Sequence, residues 1–386
     1  MESIPLATAR KLALKHQLIA SNNLPPGKSG ALEVVRQLGY IQIDTISVIE
    51  RAHHHTLWSR VPDYQPGMMD ELLAEDRAVF EYWGHGASYL PIEDYRFYLP
   101  KMKSFLDPIG KWEKNRYEKY GRFMQPILER IRQEGALSAK DFELPQGRKK
   151  KDGWWDWHEM KSALELLYWQ GDLMIKARNN FHKVYDLTER ILPQSIDTSY
   201  PSDEELGRFL VIRALRSYAL ASEKEINNYI LAADRKIISQ TLKAMLNAGE
   251  VVKVKIGDLP EVYFTLPRML DDTEFDIPDC INILSPFDNL VIQRERLKRL
   301  FLFDYAIECY TPPKKRIYGY FVLPVLWGEK FAARLDAKAD RKNRRLMIQK
   351  LAFEPGFNEK SDFMTPFKDK LDEFARFNRC DEVIFP

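Results

Sequence analysis

Cysteine is scarce in this chain of 386 residues, which contains only Cys280, Cys309 and Cys380. These three are too far apart for a disulfide framework or a CxxC metal clamp, so we expect a reducing, cytoplasmic setting. No run of about 18 apolar residues is present, which argues against a membrane-spanning helix. The opening residues MESIPLATARKL have no apolar core of a secretory signal. Walker and Rossmann glycine motifs and the GxSxG elbow are also missing, so nucleotide hydrolysis and serine catalysis have no support.

Net charge is small but unevenly distributed. The 58 basic and 56 acidic residues leave only +2 overall. Two segments are basic: Lys101–Lys151 carries 14 basic and 7 acidic residues, and Pro313–Lys350 carries 11 basic and 3 acidic residues. Asp63–Arg96 is acidic, with 8 acidic and 2 basic residues. Basic blocks interleaved with aromatic residues indicate either a phosphate-binding surface or solvated helix faces, and charge alone does not choose between them.

A diverged repeat organises much of the chain. It reads ALEVVRQLGYIQID at Ala31–Asp44, ALELLYWQGDLMIK at Ala163–Lys176 and TLKAMLNAGEVVKV at Thr241–Val254. Apolar spacing is helix-like before the shared glycine and strand-like after it. Because glycine adopts the left-handed conformation cheaply, it is predicted to cap each helix.

Copies two and three continue into a loop and a return strand, ending in VYDLTER and VYFTLPR. Helix, glycine, strand, loop and strand is the last part of a winged-helix unit. Before copy three, Ser222 to Glu225 reads as a capping-box helix start. In copy one no return strand is evident, so that unit is predicted from its helix and first strand alone.

The last part of the chain differs. Runs such as YAIECYT, IYGYFVLPVL, FAARLDA and RRLMIQKLAF predict an antiparallel sheet, followed by a helix over about Ser361–Arg379. We therefore predict an α+β protein of three tandem winged-helix domains and a C-terminal β-rich region. The predicted domains are 1–104 with the first repeat strand, 105–200, 201–270, and 271–386 with the terminal helix.

The strand of the first copy carries an unusual polar pair. In YIQIDTI, strand alternation places Gln42 and Asp44 on one face, about 6.8 Å apart along the strand. A carboxylate there could stabilise an oxocarbenium-like C1′ centre or deprotonate water, and an adjacent amide could hold that water. This is half of a glycosidase arrangement, and the second acid becomes unnecessary if the leaving base is already cationic. An ordinary solvent-exposed strand face is the competing interpretation.

Three adjacent histidines occur in ERAHHHTLWSR. Successive helical residues point about 100° apart and do not converge, so we predict no metal site there. Arg51, His55 and Trp58 fall near one helix face, which could contact a phosphate or a base or could be half-buried.

Further candidates for DNA contact lie elsewhere in the chain. They are His85 between two glycines, Arg178 and Lys183 in the wing of copy two, Arg341 and Arg344 in a basic hairpin turn, and the run RKKK at Arg148–Lys151 before WWDWH. Each also has an ordinary structural interpretation, as a core histidine or as part of a solvated loop or turn.

Taken together, several strings resemble the YcaQ-like crosslink-repair DNA glycosylases. They are GYIQIDTISVIERAHHHTLWSR, EYWGHGASYLP, SPFDNLVIQRERLKRLFLFDYAIECY, RIYGYFVLPVLWG and RLDAKADRKNRR, in order along nearly the whole chain. The resemblance implies tandem winged helices arranged as a C around a basic channel. It implies metal-independent, monofunctional excision of N7-alkylated purines and unhooking of interstrand crosslinks.

The family's catalytic motif falls on Gln42, Ile43 and Asp44. This Asp-ending form is associated with broader substrates, and it argues against a dedicated self-resistance role. The resemblance thus implies Gln42 and Asp44 as catalytic residues, no cofactor, and double-stranded DNA with alkylated or crosslinked purines as partner. We expect a monomer that associates with the nucleoid when it acts, and no membrane association.

Two other functions fit parts of the sequence. A non-enzymatic regulator with several winged helices would explain the basic wings equally well, but not the Gln42–Asp44 pair. A metal nuclease using His53–His55 with Asp44 is a weaker alternative.

Overall fold

The structure is a computed structural model that describes residues 2–19, 24–106, 110–142, 157–271 and 273–386. The basic run Arg148–Lys151 and the tryptophans directly after it lie outside the described residues. In the part of the chain that is described, no helix combines the length and the apolar character needed to cross a membrane.

The first unit follows an N-terminal strand and helix. In chain order the elements are β1 (Glu2–Ile4), α1 (Leu6–His16), α2 (Gly27–Leu38), β2 (Ile41–Gln42), α3 (Ala52–Trp58), α4 (Gly67–Ala74), β3 (Val79–Trp83) and β4 (Ala87–Pro91). We call α2 to β4 the first unit. Its small sheet has the order β2-β4-β3, and β4 is antiparallel to both neighbours.

Apolar spacing and a glycine define how α2 forms and where it ends. Ala31, Val34, Val35 and Leu38 recur at helical spacing, and all four are fully buried in the core. Gly39 then adopts a left-handed conformation with φ of 75° and donates its N–H to the Val35 carbonyl at 2.8 Å. The chain therefore turns directly from α2 into β2.

The second and third units repeat the element order of the first. The link and second unit comprise α5 (Leu99–Leu106), α6 (Lys111–Tyr120), α7 (Met124–Glu134), β5 (Leu137–Ser138), a 3₁₀ turn (Ala139–Phe142), α8 (Trp157–Trp169), β6 (Leu173–Asn179), β7 (His182–Leu187) and α9 (Thr188–Ile191). The third unit comprises α10 (Asp203–Tyr218), β8 (Leu220–Ser222), α11 (Glu223–Asn227), α12 (Arg235–Asn247), β9 (Val252–Ile256) and β10 (Tyr263–Thr265). Their sheets are ordered β5-β7-β6 and β8-β10-β9, so the last strand of each unit lies in the middle as in the first unit. The predicted capping box is confirmed, because Ser222 and Glu225 exchange both of its hydrogen bonds.

The repeat alignment is correct for copies two and three and wrong in register for copy one. Gly171 and Gly249 end the third helix of their units with φ of 90° and 71°, whereas Gly39 ends the first helix of its unit. The counterpart of Gly39 is Gly135, which ends α7 with φ of 89°. Helix, left-handed residue and strand occur at both places in a unit, so the local pattern cannot tell them apart. The missing return strand of the first unit is β4.

The N-terminal segment and the three units share one hydrophobic core. β1 pairs in parallel with β9 and so extends the sheet of the third unit. Between the first and third units, Tyr229 donates from its hydroxyl to the Leu38 carbonyl, and Arg213 pairs with the buried Asp94. The domain boundaries given above remain a prediction.

The C-terminal part has its own core and a five-stranded sheet. Its elements are β11 (Ile281–Ile283), α13 (Arg294–Phe301), β12 (Val322–Trp327), β13 (Lys330–Asp340), β14 (Arg345–Phe353), α14 (Lys360–Phe377) and β15 (Glu382–Ile384). The sheet is antiparallel except where β15 joins β14 in parallel. The predicted terminal helix and the strands over FAARLDA and RRLMIQKLAF are confirmed.

The prediction of a strand at YAIECYT is wrong. Residues 302–321 form a long loop between α13 and β12. The Tyr305 hydroxyl donates to the Val322 carbonyl at 2.5 Å, and the Glu308 carboxylate accepts from three backbone N–H groups of the same loop. Side-chain hydrogen bonds to the backbone, rather than strand pairing, hold this loop in place.

Candidate active site

Gln42 and Asp44 lie at the end of β2, where the chain passes from the small sheet of the first unit toward the C-terminal part. Ile41 and Ile43 on the other face are buried, while Gln42 and Asp44 are half-buried. Pairing with β4 continues past the strand, because the Ile43 N–H donates to the Ala87 carbonyl at 2.7 Å. The two polar side chains therefore share the more open face, as the alternation predicts.

The Gln42 amide oxygen is buried, yet it accepts no hydrogen bond from the described residues. Its neighbour is Gly86 at the turn before β4, where a Cβ would stand 3.3 Å from the Gln42 carboxamide carbon. A side chain at position 86 would therefore crowd the amide. A buried acceptor without a protein donor is costly unless a ligand or water supplies the hydrogen bond.

One oxygen of the Asp44 carboxylate is engaged locally. Its Oδ1 accepts the Ile46 N–H at 2.8 Å in an Asx-type turn, which fixes the side chain. Within the described residues, no hydrogen bond reaches the Oδ2 atom. Asp44 thus offers one free carboxylate oxygen on the same face as the free amide oxygen of Gln42.

The segment after Asp44 crosses into the C-terminal part. Ile49 is buried in the C-terminal core, and the Glu50 N–H donates to the side-chain oxygen of Asn378 at 2.6 Å. The Val48 carbonyl accepts from the Ala339 N–H of β13 at 2.9 Å. The pair is therefore held at the junction between the first unit and the C-terminal sheet.

The predicted basic hairpin lies at this junction. It is the turn between β13 and β14, and Arg341 donates to the Ser47 carbonyl at 3.0 Å from an exposed position. Arg344 is also exposed, but its guanidinium forms a two-hydrogen-bond pair with Asp381, which raises the pKa of Arg344. Arg341 and its neighbour Lys342 are therefore the better placed of these cations to bind phosphate.

The structure separates Arg51 from His55 and Trp58. Arg51 precedes α3, and its guanidinium lies 4.1 Å from the centre of the Phe181 ring. His55 is fully buried, with Nε2 hydrogen-bonded at 2.8 Å to the Ile283 carbonyl. Trp58 stacks on Phe377 of α14 at 5.0 Å between ring centres. The DNA contact predicted for His55 does not fit its position in the core, and Trp58 is half-buried by the same helix.

The other two histidines of the run also point to different partners. His54 is bonded to the Tyr64 hydroxyl at 2.8 Å, and buried His53 lies 6.0 Å from the Phe181 ring. Burial lowers the pKa of His54 to about 3 and that of His55 to about 4. Within the described ranges, no group of three potential ligands could hold a metal ion.

His85 is half-buried between the first and third units. Its Nδ1 is bonded to the Asn228 carbonyl at 2.8 Å, and its ring stacks on Tyr40 at 6.2 Å. Its position is that of an interdomain contact at the edge of a cleft also lined by Lys224 and Arg294.

Arg178 and Lys183 both turn toward Glu81 of β3. Arg178 donates two hydrogen bonds to the carboxylate at 2.7 and 2.8 Å, and Lys183 lies 3.6 Å from it. Burial alone would lower the pKa of Arg178, but the Glu81 carboxylate raises it. The wing predicted to bind DNA through these cations instead uses them to join the second unit to the first.

Sequence reasoning missed Tyr310, which lies near Asp44. Burial and then the Asp44 charge raise the pKa of the Cys309 thiol, while Cys309, burial and Asp44 in that order raise the pKa of Tyr310. The signal in the sequence was the run TPPKKRIYGY directly after Tyr310, where three basic residues adjoin two tyrosines. Because YAIECYT was predicted to be a strand, Tyr310 was not considered as part of an exposed loop.

Comparison with known proteins identifies relatives of this chain. The chain belongs to the AlkZ-like DNA glycosylase family, whose model matches residues 35–377. The solved structure of Streptomyces sahachiroi DNA glycosylase AlkZ is similar over 100% of both chains, with a TM-score of 0.68 and 12% sequence identity. At that identity the likeness shows the fold. The predicted family resemblance and the α+β class are confirmed, and membership supports DNA glycosylase activity on a DNA substrate.

Proposed function

We propose that the protein hydrolyses the N-glycosidic bond of N7-alkylated purines in DNA and unhooks interstrand crosslinks, with Asp44 and Gln42 as its catalytic residues. One observation carries the proposal. The second carboxylate oxygen of Asp44 and the buried amide oxygen of Gln42, both without donors among the described residues, lie on one face at the end of β2, beside a basic hairpin. A strand with a purely structural role would have no reason to bury an acceptor without a donor next to a carboxylate with one free oxygen.

The chemistry needs no second acid. N7 alkylation makes the purine cationic, so the C1′–N9 bond breaks with its electron pair passing to N9 and neutralising the base. Asp44 stabilises the cationic sugar that develops and takes a proton from the attacking water. Gln42 accepts a hydrogen bond from that water and orients it toward C1′. The products are an abasic site and a free base.

The position of the pair suits a bulky substrate. A crosslinked base cannot be flipped fully into a tight pocket, because it remains tied to the opposite strand. Gln42 and Asp44 are half-buried on a surface between two parts of the chain. A duplex could therefore bring its sugar to the pair without leaving the surface.

The proposal extends to architecture and partners. We infer that the three units are winged-helix modules, since each has the element order helix, strand, helix or turn, helix, strand, strand, with the last strand central. The protein would act as a monomer on double-stranded DNA without a metal or cofactor. Arg341 and Lys342 would bind backbone phosphates next to the lesion.

The test is single-turnover release of 7-methylguanine from duplex DNA. We expect Asp44→Asn, which preserves the side-chain shape, to slow release by roughly 10²–10⁴-fold, and Gln42→Ala to slow it as well. Asp369→Asn on exposed α14 is the matched control and should release base at the normal rate. Unchanged release by both site variants would refute the assignment. Resolving an N7-linked crosslinked duplex on a denaturing gel tests unhooking, and activity that persists in EDTA tests metal independence.

A further inference from the structure

Exposed hydrophobic side chains are concentrated beside the candidate site. In the described part of the chain nine large hydrophobic residues are exposed, and four of them lie between residues 302 and 320. Among them, Tyr310 is 78% exposed and Ile317 is 67% exposed. Scattered exposed hydrophobics are ordinary, but a local concentration marks a binding surface.

Three of the four, Tyr310, Ile317 and Tyr320, lie on a loop that is held in one shape. We call residues 308–321 the tyrosine loop. The buried Glu308 carboxylate accepts the N–H groups of Ile317, Tyr318 and Gly319 at 2.8 to 3.0 Å, which closes the loop on itself. Asp336 of β13 accepts the Tyr320 N–H at 3.1 Å, which anchors the loop to the sheet. Tyr310 is therefore presented by a preorganised loop rather than by a freely moving one.

Strand β13 places this loop next to the catalytic pair. Asp336 holds the tyrosine loop, and Ala339 three residues further along holds the Val48 carbonyl of the segment that follows Asp44. Three residues of a strand span about 10 Å. The Asp44 charge also raises the pKa of Tyr310, after the larger effects of Cys309 and burial.

The charge of the loop fits DNA. Lys314 and Lys315 are exposed, and neither has an ion pair with any residue that the structure describes. Arg316 lies 4.8 Å from the ring centre of Tyr320. Free cations around an exposed aromatic ring are the combination that binds a nucleic-acid backbone while stacking a base.

We propose that the ring of Tyr310 stacks on the cationic purine whose glycosidic bond faces Asp44, and so selects alkylated over neutral bases. This rests on the proposed function. An electron-rich ring attracts a cation through its quadrupole, so a positively charged purine binds it more tightly than a neutral purine of the same shape. Lys314 and Lys315 hold the flanking phosphates.

The experiment compares two duplexes that are not cleaved during the measurement. One carries N7-methylguanine on a 2′-fluorinated sugar and is cationic, whereas the other carries 7-methyl-7-deazaguanine and is neutral. Binding is followed by fluorescence anisotropy at one salt concentration. We expect the full chain to prefer the cationic duplex, and Tyr310→Ala to reduce that preference by about threefold to tenfold. Tyr310→Phe keeps an aromatic face and should retain most of it.

Tyr200→Ala is the matched control, because Tyr200 is another exposed tyrosine, 54% accessible, outside the loop. It should leave the preference unchanged, and unfolding midpoints establish that all variants are folded. An unchanged preference in Tyr310→Ala, an equal loss of affinity for both duplexes, or no preference in the unsubstituted chain would overturn the inference. Failure of the proposed function has a different signature, the absence of 7-methylguanine release by the unsubstituted chain.

Discussion

Arg178 of β6 and Glu81 of β3 form a two-hydrogen-bond ion pair between the second unit and the first. The Glu81 side chain is fully buried, and the Arg178 side chain is 8% exposed. The ring centre of Phe181, in the turn between β6 and β7, lies 4.1 Å from the guanidinium of Arg51 and 4.3 Å from that of Arg178. The β6–β7 hairpin, which was predicted to bind DNA through Arg178, thus uses this residue to join two units.

Removing Arg178 should therefore affect stability first. We expect Arg178→Ala to lower the free energy of unfolding by about 3–5 kcal/mol, because Glu81 would stay buried without its main partner. Urea denaturation measures this loss. A double variant, Arg178→Met with Glu81→Leu, should recover part of it, since it removes both charges. A normal unfolding midpoint together with weakened DNA binding in Arg178→Ala would instead favour the sequence-based role.

The hairpin should make the main phosphate contacts near the site. We expect Arg341→Ala and Lys342→Ala each to weaken binding to undamaged duplex and to reduce the slope of log K against log salt by about 0.9. Arg344→Ala serves as comparison, because Arg344 is paired with Asp381, and it should change the slope less. Equal changes in all three variants would show that Arg344 binds phosphate despite its ion pair with Asp381. The measurement is anisotropy titration at several salt concentrations.

Acid should destabilise the fold through its buried histidines. Burial lowers the pKa of His55 to about 4, so between pH 6.5 and pH 4 the unfolded chain binds a proton that the folded chain does not. Stability is therefore lost as pH falls through this range, by about 2 kcal/mol for His55 at pH 5 relative to pH 7. Urea unfolding at both pH values measures the difference.

The contribution of His55 can be isolated by substitution. His55→Gln keeps a donor for the Ile283 carbonyl and removes the titration, so the difference in stability between pH 7 and pH 5 should shrink. His182→Gln, at the exposed start of β7, should leave that difference as it was. A difference that stays the same in His55→Gln would contradict the prediction.

Gly319 should be required for the shape of the tyrosine loop. It has φ of 151°, and a Cβ there would stand 2.0 Å from the Asp336 carboxylate oxygen. We expect Gly319→Ala to displace the loop and to slow 7-methylguanine release, because Asp336 and Glu308 both hold the backbone at this point. Gly249→Ala has a similarly unfavourable φ of 71° but no neighbour within 4 Å. It should cost stability without slowing release.

The sequence predicted the strand of Gln42 and Asp44 better than it predicted the cations around it. Alternation in YIQIDTI is a local property, and it correctly placed Ile41 and Ile43 inside and Gln42 and Asp44 on the open face. The partner of Arg178 is 97 residues away and that of His55 is 228 residues away. No local sequence pattern shows that the Arg178 guanidinium or the His55 ring already has a hydrogen-bond partner elsewhere in the chain.

Two errors of fold prediction have the same origin. A helix that is followed by a residue of positive φ and then by a strand occurs twice in each unit, so Gly39 was aligned with the wrong helix end. In YAIECYT the alternation of apolar residues is real, but Glu308 supplies hydrogen bonds that a neighbouring strand would otherwise provide. In both cases the apolar spacing of the segment is the same for the correct and the incorrect assignment.

The backbone between Asp44 and Glu50 joins a strand of the first unit to the C-terminal core, so the candidate site depends on contacts that are remote in sequence. Asn378, 328 residues beyond Glu50, receives its N–H and thereby helps to set where the preceding carboxylate stands. A substitution of Asn378 at the end of the terminal helix is consequently expected to shift the position of Asp44 without altering any residue of the first unit.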